Sequence, residues 1–371
     1  MESVKDKCAV VGIGETEYSR DSGRTERSLA LEAIKKAIED AGLRPGDIDG
    51  IVKYAVQPET ETDLAACLGI RHLSYFGEAG FAGGAGAALV RQAVQAIVTG
   101  AATNVVVFRA VNGRSGKRYG RGEVTGRGGR GDAAFSEPFG LIAPGQGAAM
   151  SARRHMHDYG TTSRQLGAIA VACRKHAARN PRALLRDPIT LEDHQNSRII
   201  YDPLHMLDCC YEADGAGALV ITSADRARAL KQRPAYIMAT VQAAPGGGDG
   251  AHDRTETSAK HKVFAAAGVS PGDMDVVQIY DHFTPWVLMA IEDYGFCKRG
   301  EGGPFVEGGR IELGGGLPLN TSGGHLSEAY LQGMNHMIEA VRQLRGTSTA
   351  QVEGAELVLV DTAAGALILR R

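Results

Sequence analysis

Tyr280 and Tyr330 are the side chains of this sequence that most suggest proton chemistry. Tyr280 ends an apolar run, Val276–Tyr280, and is followed by Asp281, His282 and Phe283. Tyr330 stands in a glycine-rich stretch, Ser322-Gly323-Gly324-His325-Leu326-Ser327-Glu328-Ala329-Tyr330, that runs into a helical pattern. A phenol donates a hydrogen bond, supplies a proton, or removes one when its surroundings lower its pKa. The reference pKa of Tyr is about 10, so a base role needs a nearby donor or cation. His282 lies two residues from Tyr280, on the same side of an extended chain, and is a candidate helper. Asp281 reads either as an orienting carboxylate or as a turn cap. His282 and His325 read either as structural hydrogen-bonders or as catalysts. A tyrosine at a strand end is usually a half-buried core residue whose hydroxyl meets water. The surrounding elements must therefore decide.

Several other chemistries find no support. Val11-Gly12-Ile13-Gly14 follows a strand, but the third glycine of a dinucleotide fingerprint would fall on Glu17. His155-Met156-His157 has a spacing of two, which points the rings apart on a helix, so a metal pair is not expected. None of the six cysteines forms a Cys-x-x-Cys pair, which argues against a zinc or thioredoxin-type site. No metal site and no cofactor are expected. A net charge of −2 gives no argument for nucleic acid as a partner. Scattered thiols, an N-terminus without an apolar signal core and the lack of any apolar run near the ~20 residues of a membrane span suggest a cytoplasmic protein.

The elements that must position the tyrosines repeat. Residues 41–49 read Ala-Gly-Leu-Arg-Pro-Gly-Asp-Ile-Asp and residues 267–275 read Ala-Gly-Val-Ser-Pro-Gly-Asp-Met-Asp, with six of nine positions identical. Each copy follows a helical pattern, has a glycine where a helix stop wants positive φ, and enters an apolar run, Ile51–Val56 or Val276–Tyr280. Helix, glycine stop, Pro-Gly turn and strand, occurring twice, predict a duplicated α/β fold. Further strands are expected at Ala9–Val11, Asn104–Phe108, Ala218–Thr222, Ala235–Ala239, Leu357–Val360 and Ala366–Leu369. Helices are expected to start near Ser28, Gly86, Thr162, Thr257 and Leu331. The expected division is an N-terminal half of residues 1–111 and 216–244, an inserted loop region of 112–215, and a C-terminal half of 245–371. Within the insertion, residues 113–131 alternate glycine with Arg114, Lys117, Arg118, Arg121, Arg127 and Arg130. This reads as a solvated loop, or as a basic flap facing a ligand's phosphates or an acidic partner.

Residues 80–90, Gly-Phe-Ala-Gly-Gly-Ala-Gly-Ala-Ala-Leu-Val, lead into an amphipathic helix. They resemble the thiolase segment in which a helix N-terminus activates an acyl-accepting cysteine, but Gly83 stands in its place. Tyr159-Gly160-Thr161-Thr162, His176 to Pro181, Leu207-Asp208-Cys209-Cys210 and Asp214 to Ala218 are similar to the sterol-carrier-type thiolases and lipid-transfer proteins. The resemblance implies the thiolase fold, a five-layer αβαβα architecture of two similar halves, acting on coenzyme A thioesters as a dimer. It places the family's catalytic Asn on Tyr280, its His on Tyr330, and its second Cys on Asp361 or Thr362. All four catalytic positions are thus replaced, two of them by phenols.

That pattern resembles the steroid side-chain-cleaving aldolases, as does Leu317-Pro318-Leu319-Asn320-Thr321 running into Ser322. The resemblance implies retro-aldol cleavage of a β-hydroxyacyl-CoA steroid to a 17-keto steroid and propionyl-CoA, with no covalent acyl-enzyme. Tyr280 would be base and Tyr330 acid or enolate donor, with the reverse left open. Gly83, Gly323, Gly324 and His325 would contact substrate. The implied partners are a second copy, paired through the strand near the Gly83 helix (here Asn104–Phe108), and a separate zinc-ribbon/OB-fold protein. The alternatives are a degenerate lipid or acyl-CoA binding protein and a structural subunit of a heteromeric enzyme.

Overall fold

The computed structural model describes residues 4–80, 82–116, 118, 133–242 and 258–371. Its main strands are β1 (Cys8–Glu15), β2 (Gly50–Tyr54), β3 (Tyr75–Ala79) and β4 (Asn104–Asn112). A small hairpin follows, β5 (Ile199–Tyr201) with β6 (Leu204–His205). The chain then forms β7 (Asp214–Ser223), β8 (Ala235–Gln242), β9 (Val276–Gln278), β10 (Leu357–Asp361) and β11 (Gly365–Arg370). Nine of these join in the order β3-β2-β4-β7-β1-β8-β11-β10-β9. Only Ala9–Tyr236 and Val10–Ala235 pair β1 with β8. On either side of that seam, β2-β4-β7-β1 and β9-β10-β11-β8 have the same order and the same strand senses. The duplication expected from the nine-residue repeat is therefore a duplication of whole sheets.

The repeated string has a local physical purpose. Helix Glu26–Ala41 ends at Gly42 with φ +74°, and helix Ser258–Ala267 ends before Gly268 with φ +70°. Pro45–Asp47 and Pro271–Asp273 each form one tight 3₁₀ turn. Asp47 accepts a hydrogen bond from Arg44 N–H at 2.8 Å, and Asp273 one from Ser270 N–H at 2.7 Å. The shared aspartate closes the turn that launches the strand.

Alternation along the strands builds the layers. On β4, Val105 and Val107 face one core with Leu89 and Val94, while Val106 and Phe108 face another with Ile34 and Ile38. Helices Gly86–Val98 and Met334–Arg345 fill the middle, packed between Val52 and Leu219 of one sheet and Val358, Val360 and Leu367 of the other. Helix Ser258–Ala267 covers the far side through Val263 and Phe264 against Leu359 and Ile368. The result is helix, sheet, helix, sheet, helix, the expected five layers.

Two expectations change. Strand β8, counted with the first half, pairs through six positions with β11 and occupies in the second sheet the place that β1 has in the first. The second half therefore begins at β8, not at residue 245. The strand Asn104–Phe108 lies inside β4, which is paired on both sides by β2 and β7 and has no free edge. The open edge beside the Gly83 turn is β3, whose Phe76 is 66% exposed. The segment between β4 and β7 carries helices Pro144–Tyr159 and Ser163–Ala177, which pack on the second half. Of the glycine-arginine stretch only residues 113–116 and 118 are described; the rest lies outside the described residues. Among the described residues no helix is long and apolar enough to cross a membrane.

Candidate active site

The four positions matched by the resemblance converge. Gly83 lies on the 3₁₀ turn Ala82–Ala85 that feeds helix Gly86–Val98. Tyr280 follows β9, Tyr330 precedes helix Met334–Arg345, and Asp361 ends β10. Ala87 N–H donates to Thr362 Oγ1 at 3.1 Å, and Tyr280 N–H donates to Asp361 Oδ2 at 3.3 Å. The two phenol oxygens stand 2.9 Å apart in a hydrogen bond. Tyr280 is buried and Tyr330 is the more exposed partner.

Alternation in the extended segment after β9 sorts the next residues as expected. His282 comes back beside Tyr280, ring centroids 4.7 Å apart, and rests on Trp286 at 4.2 Å. Asp281 points the other way into full burial. Its Oδ1 accepts His325 N–H at 2.8 Å and its Oδ2 accepts Leu326 N–H at 3.3 Å. Asp281 is thus a carboxylate clamp on the turn that carries Tyr330. Gly324 makes room for it: φ is +61°, and a Cβ there would sit 2.1 Å from Asp281 Oδ2. Gly323, at φ +105°, is pressed in the same way against Ala177.

His325 stacks edge-on against both phenols, at 4.6 Å from Tyr280 and 4.9 Å from Tyr330. Its Nε2 accepts Gly333 N–H at 3.0 Å, which leaves the ring proton on Nδ1, facing Asp281 Oδ1 at 3.3 Å. Burial, then the neighbouring His336 and His282, push this imidazole well below its usual range. It is a neutral ring, and its contact with Asp281 is not an ion pair. Asp281, His325 and His336 bring one donor atom each within 4.8 Å of one another. A metal on Nδ1 of His325 would require the proton on Nε2, where Gly333 N–H already points. The trio fits a packed wedge behind the tyrosines, fixed by the backbone amides of His325, Leu326 and Gly333, better than an ion site.

Residues that sequence reasoning did not single out hold the Tyr330 loop from the other side. Gln332 has φ +55°. Its carbonyl accepts Tyr54 O–H at 2.9 Å, and its Oε1 accepts Arg109 Nε–H at 2.7 Å. Arg109 is buried and also donates to Gln57 Oε1 at 2.7 Å. Glu328 ties three segments together. Its Oε1 accepts Asn180 Nδ2–H at 2.8 Å, and its Oε2 accepts Ser322 O–H at 2.7 Å and Asn335 Nδ2–H at 3.0 Å. No local pattern marks Gln332 and Arg109, because their partners come from distant parts of the chain.

Burial chiefly, with Glu15 nearby, pushes the Glu328 carboxyl up from 4.5 to about 7. A carboxyl raised in the folded state holds its proton there to higher pH than in the unfolded chain. Its stabilisation is full below the unfolded value and is lost as pH rises from 4.5 to about 7. Glu328→Gln should therefore flatten the pH dependence of stability in that window, by about 3 kcal/mol at most. Denaturant unfolding at pH 5 and pH 8 checks this; the parent and variant should differ in slope with pH, and parallel curves would rule it out.

Fold and site together define a thiolase-superfamily protein. Residues 250–370 match the thiolase C-terminal domain-like family. The chain is 46% identical over 382 aligned positions to the 17-hydroxy-3-oxo-4-pregnene-20-carboxyl-CoA lyase of Mycobacterium tuberculosis, covering 97% of each. It is also 46% identical to the steroid side-chain-cleaving aldolase of Thermomonospora curvata, covering 98% of this chain and 97% of that one. The solved Ltp2–ChsH2(DUF35) aldolase superposes with a TM-score of 0.92 at 43% identity, over 100% of this chain and 99% of that one. The chain belongs to the steroid side-chain-cleaving aldolases of the thiolase superfamily.

Proposed function

We propose that this protein is a carbon–carbon lyase. It cleaves the CoA thioester of a 17-hydroxy steroid with a three-carbon side chain into a 17-keto steroid and propionyl-CoA by a retro-aldol reaction. The observation that carries this reading is the 2.9 Å hydrogen bond between the Tyr280 and Tyr330 phenols, at positions that the family resemblance matches to acyl-transfer residues, with a glycine that offers no nucleophile at position 83.

The steps balance with proton transfers alone, and no cofactor is required. A base removes the β-hydroxyl proton, the Cα–Cβ bond breaks, its electrons collect on the thioester oxygen as an enolate, and the α-carbon is then protonated. Burial, then Tyr330, hold the Tyr280 phenol well above the usual Tyr range. Tyr280 therefore keeps its proton, and with its O–H as the donor of the shared hydrogen bond it would stabilise negative charge on the Tyr330 oxygen. This favours the second of the two assignments left open by the sequence: Tyr330 takes the substrate proton, and Tyr280 is the donor behind it. The turn at Gly83 and the N-terminus of helix Gly86–Val98 present amides and a positive dipole end to the enolate. Gly323, Gly324 and His325 serve the substrate by fixing the loop beneath Tyr330.

Mass spectrometry tests the reaction type. In D₂O the propionyl-CoA should carry one deuterium at the α-carbon, and the chain exposed to acetyl-CoA or acetoacetyl-CoA should keep its unmodified mass. A stoichiometric acyl adduct would overturn the reading.

For assembly, the solved relative is the Ltp2–ChsH2(DUF35) aldolase, a complex with a DUF35 partner. We infer a homodimer formed along the open β3 edge, joined by a zinc-ribbon/OB-fold partner of that kind. Light scattering should give a dimer that Phe76→Lys or Gly77→Pro dissociates. A stable parent monomer at micromolar concentration would refute it.

A further inference from the structure

Two loops beside the site present guanidinium groups to one aromatic ring. Arg20 lies 5.7 Å from the centre of the Tyr211 ring and Arg114 lies 5.6 Å from it. Among the described residues neither guanidinium has an ion-pair partner, in contrast to Arg118, which is engaged by Glu212 at 2.6 Å. Both loops are built on Asp214, at the start of β7. Its backbone exchanges hydrogen bonds with Ser19, at 3.0 and 2.9 Å, directly before Arg20. Its carboxylate accepts from Ser22 N–H, Arg114 N–H and Ser115 N–H, each at 3.0 Å, and from Ser115 O–H at 2.5 Å. Burial alone would raise this carboxyl, but these donors hold it below the usual carboxylate range.

The arrangement is referenced to the reacting groups. Tyr211 N–H donates to the His325 carbonyl at 2.9 Å, and Tyr330 N–H donates to the Tyr211 carbonyl at 3.1 Å. β1 and β4 both run antiparallel to β7, so Arg20, in the loop after β1, and Arg114, just past the end of β4, lie at the same end of the sheet. The C-terminal end of β2, which carries Tyr54, lies there too. These are the carboxyl ends of strands, where open α/β sheets place ligands. Two unneutralised guanidinium groups and an aromatic face suit a ligand with phosphates and a heteroaromatic base.

We propose that Arg20, Tyr211 and Arg114 receive the phosphorylated nucleotide end of the CoA thioester. The thioester end of the same molecule then reaches the tyrosine pair. This inference rests on the CoA-thioester reading of the site above.

The test is calorimetric titration of the full chain, with any co-purifying partner retained, against CoA, dephospho-CoA and pantetheine. Arg20→Gln and Arg114→Gln should each weaken CoA by on the order of tenfold, with pantetheine unchanged. The parent's CoA affinity should fall with added salt more steeply than the double variant's. Unchanged CoA affinity in the double variant, or an equal loss for CoA and pantetheine, would overturn the assignment. A parent that binds neither CoA nor pantetheine would instead bring down the functional reading and this inference with it.

Discussion

Replacing Tyr280 or Tyr330 by Phe should lower turnover of the steroid CoA thioester by on the order of 10²–10⁴-fold. Each change removes one hydroxyl and almost no volume, so the fold should persist. The two phenols share a single hydrogen bond of 2.9 Å, so their losses should not add: the double variant should be little slower than the worse single one. Affinity for the CoA ester should change far less, because proton transfer is expressed in the transition state. If Tyr330 is the base, its loss should also abolish the ascending limb of the pH–rate profile, whereas Tyr280→Phe should move that limb to higher pH. Steady-state rates with calorimetric binding check all of this. Undiminished cleavage in both variants would remove the tyrosines from the mechanism.

Asp281→Ala should cost roughly 3–5 kcal/mol of stability. Asp281 is fully buried, and its removal leaves the amides of His325 and Leu326 without acceptors and opens space beside His325 and His336. The turn carrying Tyr330 should loosen, so residual turnover should fall even in conditions where the variant stays folded. Denaturant unfolding provides the number. A loss within about 1 kcal/mol would mean that the clamp is not what orders the turn.

The contrast between these residues shows what the sequence makes legible. Tyr280, His282 and Tyr330 could be placed because period-two alternation and a glycine-rich helix entry are local patterns, and Tyr280 and Tyr330 also because the resemblance registers them with catalytic positions. Asp281 could be read only as clamp or cap, since its partners, His325 and Leu326, are over forty residues away. His336 sits in an amphipathic helix and looks like any other turn of it. Gln332 and Asn320 hold positive φ without being glycine, which no local rule announces. The duplicated sheets were visible through the Pro-Gly-Asp turn, a local device used twice. The open edge at β3 was not legible because that strand is short, contains Gly77 and lacks an apolar alternation, while the edge or interior position of β4 depends on sheet order. Helix Pro144–Tyr159 was missed because its first turns, Pro-Gly-Gln-Gly, are poor in helix formers.

In the proposed reaction a thiolase scaffold without its thiol breaks a carbon–carbon bond by proton transfer at paired phenols. The most direct measurement is incubation of the protein with the CoA thioester of a 17-hydroxy steroid bearing the three-carbon side chain, with and without a DUF35 partner. Both products are followed by chromatography. 17-keto steroid and propionyl-CoA should form in equal amounts, over many turnovers and without a covalently modified chain. Tight binding of the thioester with no cleavage in either condition would contradict it and leave the protein a carrier.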